Sequence, residues 1–256
     1  MPLTVVKQER DMKRYLISEI LFLQLISPAS GLGISIFGWN GNGGRRSVTK
    51  VADTIHDLYG VIDVRVSAIE PFTLAAEHED IWLDNRFEFL GETGGLVLWN
   101  RMKLKRIESA APVSRAYFAT RFESRQSGDR FWFVLVDFDR RADVNQRQVK
   151  SLLAWINGQS SPVLICGNLG FQLDTNRFLE DLNWEPDHSI YLELKARGLS
   201  WVRPQRLYAL PAEVETVDFM AFTNERFKKW NPVASIRENK SPHPPTEIIL
   251  RINKPE

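Results

Sequence analysis

Chemistry in this chain has to come from carboxylates, amides and imidazoles, because it carries one cysteine and four histidines in 256 residues. Cys166 closes the apolar run Pro162-Val-Leu-Ile-Cys166 and reads as a small buried hydrophobe. One cysteine excludes a disulfide within the chain and a cysteine-based zinc site. His56, His78 and His188 have no metal-ligand spacing. What remains is a set of polar residues that close or interrupt apolar runs: Asn40, Glu70, Asp137, Asp139, Asn168, Asp218 and His243.

Each of these has two readings. A hard divalent cation takes oxygen ligands, so Glu70 after Val64-Arg-Val-Ser-Ala-Ile69 suits a metal ligand; it equally suits a solvated strand end. Asn40-Gly-Asn-Gly-Gly44 has the composition of a turn. With Arg45 and Arg46 behind it, the same cluster could cradle a phosphate on backbone N–H groups, although the spacing of a nucleotide-binding loop is missing. Asp137 and Asp139, with Arg140 and Arg141 following, read first as a solvated turn. His243 stands among prolines in Lys240-Ser-Pro-His-Pro-Pro245 and reads as a loop histidine or a phosphate-facing one; Asp218, in Thr216-Val-Asp-Phe-Met220, is a strand-end carboxylate in its plain reading.

The elements that must carry these residues follow from pattern. Short β-branched or aromatic runs at 33–37, 64–69, 95–99, 116–122, 131–137, 163–166 and 248–252 read as strands, the one at 163–166 stopping at a glycine turn. Helices are expected over 47–58, with Ser47 as N-cap, over 145–156, where Val149, Leu152, Leu153 and Ile156 share a face, and over 175–182. Residues 231–245 read as a long loop. Strict strand–helix alternation is absent, so the order implies two mixed sheets packed face to face with helices outside. Trp39, Trp99 and Trp132 lie on or beside these strands and read as core.

Composition agrees with a folded domain: 43% hydrophobic and 25% charged residues exclude a disordered or fibrous chain. Lys+Arg 33 against Asp+Glu 32 gives no overall basic field to predict a nucleic-acid or membrane-surface partner, and leaves a local patch open. The segment 15–26 is apolar but carries Glu19 and Gln24 and suits an amphipathic helix. The expectation is a cytoplasmic protein without a membrane span, in which residues 1–32 form a helical extension able to bind a protein partner and residues 33–256 form one domain.

Taken in order, the motifs resemble those of the endonuclease/exonuclease/phosphatase (DNase I-like) superfamily. Ile34-Ser-Ile-Phe-Gly-Trp-Asn40 is similar to the strand ending in its asparagine, and Val64-Arg-Val-Ser-Ala-Ile-Glu70 to the strand bearing its metal-binding glutamate. Gly94-Gly-Leu-Val-Leu-Trp-Asn-Arg101 resembles the strand ending in Ser-Arg, and Phe131-Trp-Phe-Val-Leu-Val-Asp137 the one ending in His-Leu. Gly167-Asn-Leu-Gly170 resembles Gly-Asp-x-Asn, Thr216-Val-Asp-Phe-Met220 resembles Ile-Asp-Tyr-Ile, and Ser241-Pro-His-Pro-Pro245 resembles Ser-Asp-His-x-Pro.

The resemblance implies a four-layered α/β/β/α sandwich of two mixed, mainly antiparallel sheets. It implies Mg²⁺, with Mn²⁺ as the alternative, held by Glu70, with Asn40, Asn168, Asp218 and His243 as the catalytic set and a phosphoester or nucleic acid as ligand. The departures matter. Asn168 replaces an aspartate that acts on water or metal, and an amide cannot take a proton at neutral pH. Pro242 replaces the carboxylate that would orient His243, Asp137 stands where a histidine is expected, and Gly170 replaces an asparagine. The resemblance therefore implies a non-catalytic or weakly active binding protein, or alternatively an active, divergent Mg²⁺-dependent nuclease or phosphatase. In the second case Asp137 and Asp139, which the fold would bring near the same pocket, are substitute acids around a rearranged metal site with Glu70.

Overall fold

The computed structural model describes residues 33–44, 56–64, 81–82, 87–90, 93–100, 102–110, 116–174, 177, 180–181, 183–207, 216–236 and 245–251. The chain divides into two units, Met1–Gly33 and Ile34–Glu256, and the elements after Gly33 belong to the second.

A strand whose two faces are both covered cannot alternate apolar with polar, and residues Arg130–Asp137 (β8) illustrate it, with six consecutive buried side chains, Phe131 to Val136. Helix α1, Ala142–Asn157, follows, with Val149, Leu152, Leu153 and Ile156 buried at helical spacing. Each aliphatic side chain so buried contributes roughly 1.5–3 kcal/mol of transfer free energy. Strand β9, Val163–Asp174, then pairs parallel to β8, as a crossover helix requires. Helix α2, Ser189–Ala196, packs with α1 on the same side, in a core that includes Trp132, Val134, Val136, Val163 and Ile165.

Strands β6 (Leu104–Ala110), β7 (Tyr117–Ser124), β10 (Leu199–Trp201) and β12 (Thr216–Asn224) complete a six-stranded sheet in the order β10-β12-β9-β8-β7-β6. An eight-stranded sheet runs β11-β13-β14-β1-β2-β5-β3, with β4 on β5. Its members are β1 (Gly33–Gly44), β2 (Leu58–Val64), β3 (Ile81–Trp82), β4 (Phe87–Leu90), β5 (Thr93–Asn100), β11 (Pro204–Leu207), β13 (Val233–Ile236) and β14 (Thr246–Arg251). The β1–β2, β11–β13 and β8–β9 registers are parallel and the other described registers antiparallel.

The two sheets face each other through a second core. Ile36, Leu58, Ile62 and Leu250 meet Phe131, Phe133, Leu135 and Cys166 there. The approach is close enough that a Cβ added at Gly60 would lie 2.7 Å from the Phe133 ring. The other face of the eight-stranded sheet is dry as well, since Phe37, Trp39, Tyr59 and Val61 are at most 1% exposed. Both sheets are thus covered on both faces, as the four-layered expectation requires, and Trp39, Trp99 and Trp132 are core residues.

Four expectations need correction. The helix expected over 47–58 ends too late: Asp57 is a bend and Leu58 already opens β2, because its side chain is needed in the inter-sheet core. The strand expected at 64–69 is reached only at Val64, which closes β2; residues 65–69, like 47–55, lie outside the described ones. Strand β9 does not stop at a glycine turn but runs through Gly167-Asn-Leu-Gly170 to Asp174, keeping Leu169, Phe171 and Leu173 buried on the helix side. The expected loop over 231–245 contains β13, whose Ala234 and Ile236 are both buried. Most of the helix expected over 175–182 is outside the described residues.

Candidate functional site

Two glycines shape the strand that carries Asn168. Gly167 adopts φ 138°, and a Cβ there would lie 2.0 Å from the Val136 carbonyl oxygen. Gly170 adopts φ 78°, and a Cβ there would lie 1.9 Å from Asn145 Nδ2 and 2.8 Å from the Asp139 carbonyl oxygen. Only glycine tolerates both the backbone and the contact. Between Asn168 and Leu173, β9 has more residues than the facing stretch of β12, from Phe219 to Val217, so the strand bulges there. Asn168 is the last residue in register with β12 before this bulge.

Asn168 is 7% exposed and pairs in register with Asp137 on β8. The Gly170 N–H donates to its Oδ1 at 2.8 Å, which turns Nδ2 toward Asp137, where it donates to Oδ1 at 3.3 Å. On the other side, Phe219 is the cross-strand partner of Asn168, so the backbone of Asp218 lies one residue from the same level. Asp137 and Asn168 are therefore at one level, with the backbone of Asp218 one residue away on the neighbouring strand.

Asn40 belongs to the other sheet, and its rim can be read from the opposite end of the sandwich. Asp57, just before β2, accepts from Ser35 N–H at 2.9 Å and from Lys103 Nζ at 3.0 Å. The Lys103 carbonyl accepts from Arg125 N–H, beside the turn that leads into β8. The starts of β1, β2 and β8 thus lie together, and β1 and β8 run from there toward the opposite rim. Asn40, which is 4% exposed and sits late in β1, lies toward the rim where β8 delivers Asp137.

Asp139 is taken up by its neighbour. Arg141 Nη2 donates to its Oδ2 at 2.8 Å, and the Arg141 backbone N–H donates to Oδ1 at 2.8 Å. The Arg141 guanidinium holds the Asp139 carboxyl below its ordinary range. Glu70 and His243 lie outside the described residues, as does Pro242, and of Asp218 only the backbone is described. Among the described residues no three histidine, cysteine, aspartate or glutamate side chains gather. Asp137 Oδ1 meets an N–H donor where a cation would need a further oxygen. The described residues do not by themselves make a site for Mg²⁺ or Mn²⁺.

The sequence reading missed two amides on α1. Asn145, 1% exposed, donates through Nδ2 to the Leu169 carbonyl at 3.0 Å, and Gln148 Oε1 accepts from the Asp139 N–H at 2.9 Å. Two amides three residues apart on the core-facing side of the helix were the available signal, one that gains meaning only with the partner strands known. It also missed the buried pair His56–Glu247, 3.1 Å apart, whose partners are far apart in sequence and carry no local signal. Cys166 is buried within the inter-sheet core, and burial pushes its thiol well above the ordinary range, so it is inert. Among the described residues no helix is long and apolar enough to cross a membrane.

No protein-family model matches the sequence, and no curated protein matches it. Solved structures do match. An endonuclease/exonuclease/phosphatase family protein from Bacteroides thetaiotaomicron has a TM-score of 0.63 at 12% identity, covering 86% of this chain and 98% of its own. The mannosyl-6-phosphatase of the same species has a TM-score of 0.60 at 11% identity, covering 85% and 99%. TDP2 of D. rerio, complexed with a single-strand DNA product, has a TM-score of 0.57 at 11% identity, covering 86% and 99%. At such identities the likeness is one of backbone, and what it establishes is that this chain has the endonuclease/exonuclease/phosphatase, DNase I-like fold.

Proposed function

We propose that this protein binds phosphoesters, single-stranded nucleic acid among them, at the rim bearing Asn40, Asp137, Asn168 and Asp218, and that it hydrolyses them poorly or not at all. Residues 33–256 form the binding domain, with residues 1–32 as an extension, and the protein works in the cytoplasm. The observation that carries this reading is the state of Asn168. Its Oδ1 accepts from the Gly170 N–H and its Nδ2 donates to Asp137, so the group at this position is a fixed neutral amide. It can orient a ligand by hydrogen bonding and cannot accept a proton, and the general-base contribution of about 10²–10⁴ in rate is missing there. Binding geometry survives such a loss because it depends on the strands, which the glycine-shaped bulge still sets. Similarity to a mannosyl-6-phosphatase and to a protein complexed with single-strand DNA supports phosphoester ligands as the class to test.

One observation favours the second reading, a divergent hydrolase using Mg²⁺ or Mn²⁺ with Glu70 as ligand and His243 facing the phosphate. A carboxylate is still present at the level of Asn168, namely Asp137, with Asp218 carried by the adjoining strand β12. The test is incubation of the purified protein with single- and double-stranded DNA, RNA and a chromogenic phosphodiester, with Mg²⁺ or Mn²⁺, beside a Glu70→Ala control. Saturable binding without turnover is the expected result. Turnover that disappears in the control establishes the second reading instead.

A further inference from the structure

We propose that Asn145 and Gln148 are positioning residues, two amides on one face of α1 that clamp together the two chain segments bearing Asp137 and Asn168. The inference rests on the reading of that pair as ligand-facing, and it adds how the pair is held.

Three observations meet at one point. Asn145 reaches β9 by donating to the Leu169 carbonyl at 3.0 Å, one residue after Asn168. Gln148 reaches the end of β8 by accepting from the Asp139 N–H at 2.9 Å, two residues after Asp137. Gly170 fills the space between them: an added Cβ would strike both Asn145 Nδ2 and the Asp139 carbonyl oxygen. The turn after β8, the bulge of β9 and the first turns of α1 are thus in mutual contact with no room for another methyl group.

Stability alone does not account for Asn145. Its Oδ1 is buried and meets no donor among the described residues, and a half-satisfied buried amide is worse for the folded state than an apolar side chain of similar shape. Departures of this kind are expected where a residue holds functional geometry. What Asn145 supplies is an N–H that holds the Leu169 carbonyl, and with it the backbone next to Asn168. Gln148, three residues later on the same face, fixes the Asp139 N–H by supplying an acceptor. The two amides therefore have opposite chemical duties, one as donor and one as acceptor.

That opposition gives the test. The same amide-to-carboxylate change removes the donor in Asn145→Asp and keeps the acceptor in Gln148→Glu. The readout is the ¹H–¹⁵N signal of the Asn168 side-chain amide and its hydrogen exchange, recorded on the full chain without ligand. Gln148→Glu should leave the signal in place with exchange within about twofold of the wild type. Gln148→Leu and Asn145→Asp should both displace it and speed its exchange by about tenfold or more. Gln148→Glu behaving like Gln148→Leu would overturn the clamp, because packing and not the acceptor would then be what matters; so would an unchanged signal in Gln148→Leu. Gln148 is only half-buried, so its two variants decide the question even where Asn145→Asp does not fold. Titration of the wild type with inorganic phosphate reads the binding proposal separately: a clamp that behaves as expected in a protein whose rim amides ignore phosphate supports the clamp and counts against the ligand.

Discussion

Replacing Asn168 by aspartate, the residue the resemblance expects, should destabilise this protein. The amide nitrogen that now donates to Asp137 lies 3.3 Å from the carboxylate oxygen, and Asn168→Asp puts an anionic oxygen in its place. Two full charges at the 3.3 Å now separating these atoms repel by about 5 kcal/mol with an effective dielectric constant near 20. The alternative is to protonate one carboxyl; from an ordinary pKa near 4 that costs about 4 kcal/mol at pH 7 and about 1.4 kcal/mol at pH 5. The cheaper route sets the loss, so urea unfolding should show Asn168→Asp less stable by about 3–4 kcal/mol at pH 7 and by about 1 kcal/mol at pH 5. Adding Asp137→Asn exchanges amide and carboxylate between the strands and should recover most of the loss, giving a large coupling in the double-mutant cycle. A single variant within 0.5 kcal/mol of the wild type at both pH values would refute the reasoning, since the two side chains could not then be in contact.

Other outcomes follow from the same geometry. Gly167→Ala should cost roughly 3 kcal/mol or more, because its Cβ would overlap the Val136 carbonyl at 2.0 Å, while Gly158→Ala, in right-handed backbone, should be close to neutral in the same thermal-unfolding series. The Tyr117 hydroxyl is buried without a partner among the described residues, so Tyr117→Phe should be neutral or stabilising by up to about 1 kcal/mol, and a loss beyond that would show a bond not accounted for. Burial holds the His188 imidazole below its ordinary pKa of about 6.5, so the unfolded chain takes up the proton first. The stability this group contributes is complete above that pH and is lost as the pH falls from about 6.5 through the lowered folded value. His188→Asn, which keeps an acceptor at the start of α2, should show a smaller drop in urea midpoint between pH 7.5 and pH 5; an equal drop would remove His188 as a cause.

The β8–α1–β9 unit was legible because its strands are buried on both faces and its helix on one, so period and composition agree along the whole stretch. Glycines misled the reading only of where β9 ends. Gly167 and Gly170 carry the strand through a bulge, yet in a sequence they look like breaks. The short β13 was hidden beside prolines, where its burial comes from tertiary contacts. Asn40, Asp137, Asn168 and Asp218 could be picked out as polar residues at strand ends. That Asn168 donates to Asp137 could not, because it depends on the parallel register between β8 and β9 and on which way the Gly170 N–H turns the amide. Asn145 and Gln148 escaped because a polar residue on an apolar helix face has no meaning until its partner strand is known.

Phosphoester binding at the rim of Asn40, Asp137 and Asn168, as proposed, can be tested directly. The direct measurement is an NMR titration of the full chain with a short single-stranded DNA, following backbone amides at both ends of the sandwich. Saturable shifts are expected at Asp137, Asn168 and Gly170, abolished by Asn168→Ala. Shifts gathered at Ser35, Asn100 and Lys103, around Asp57 at the opposite rim, would contradict it.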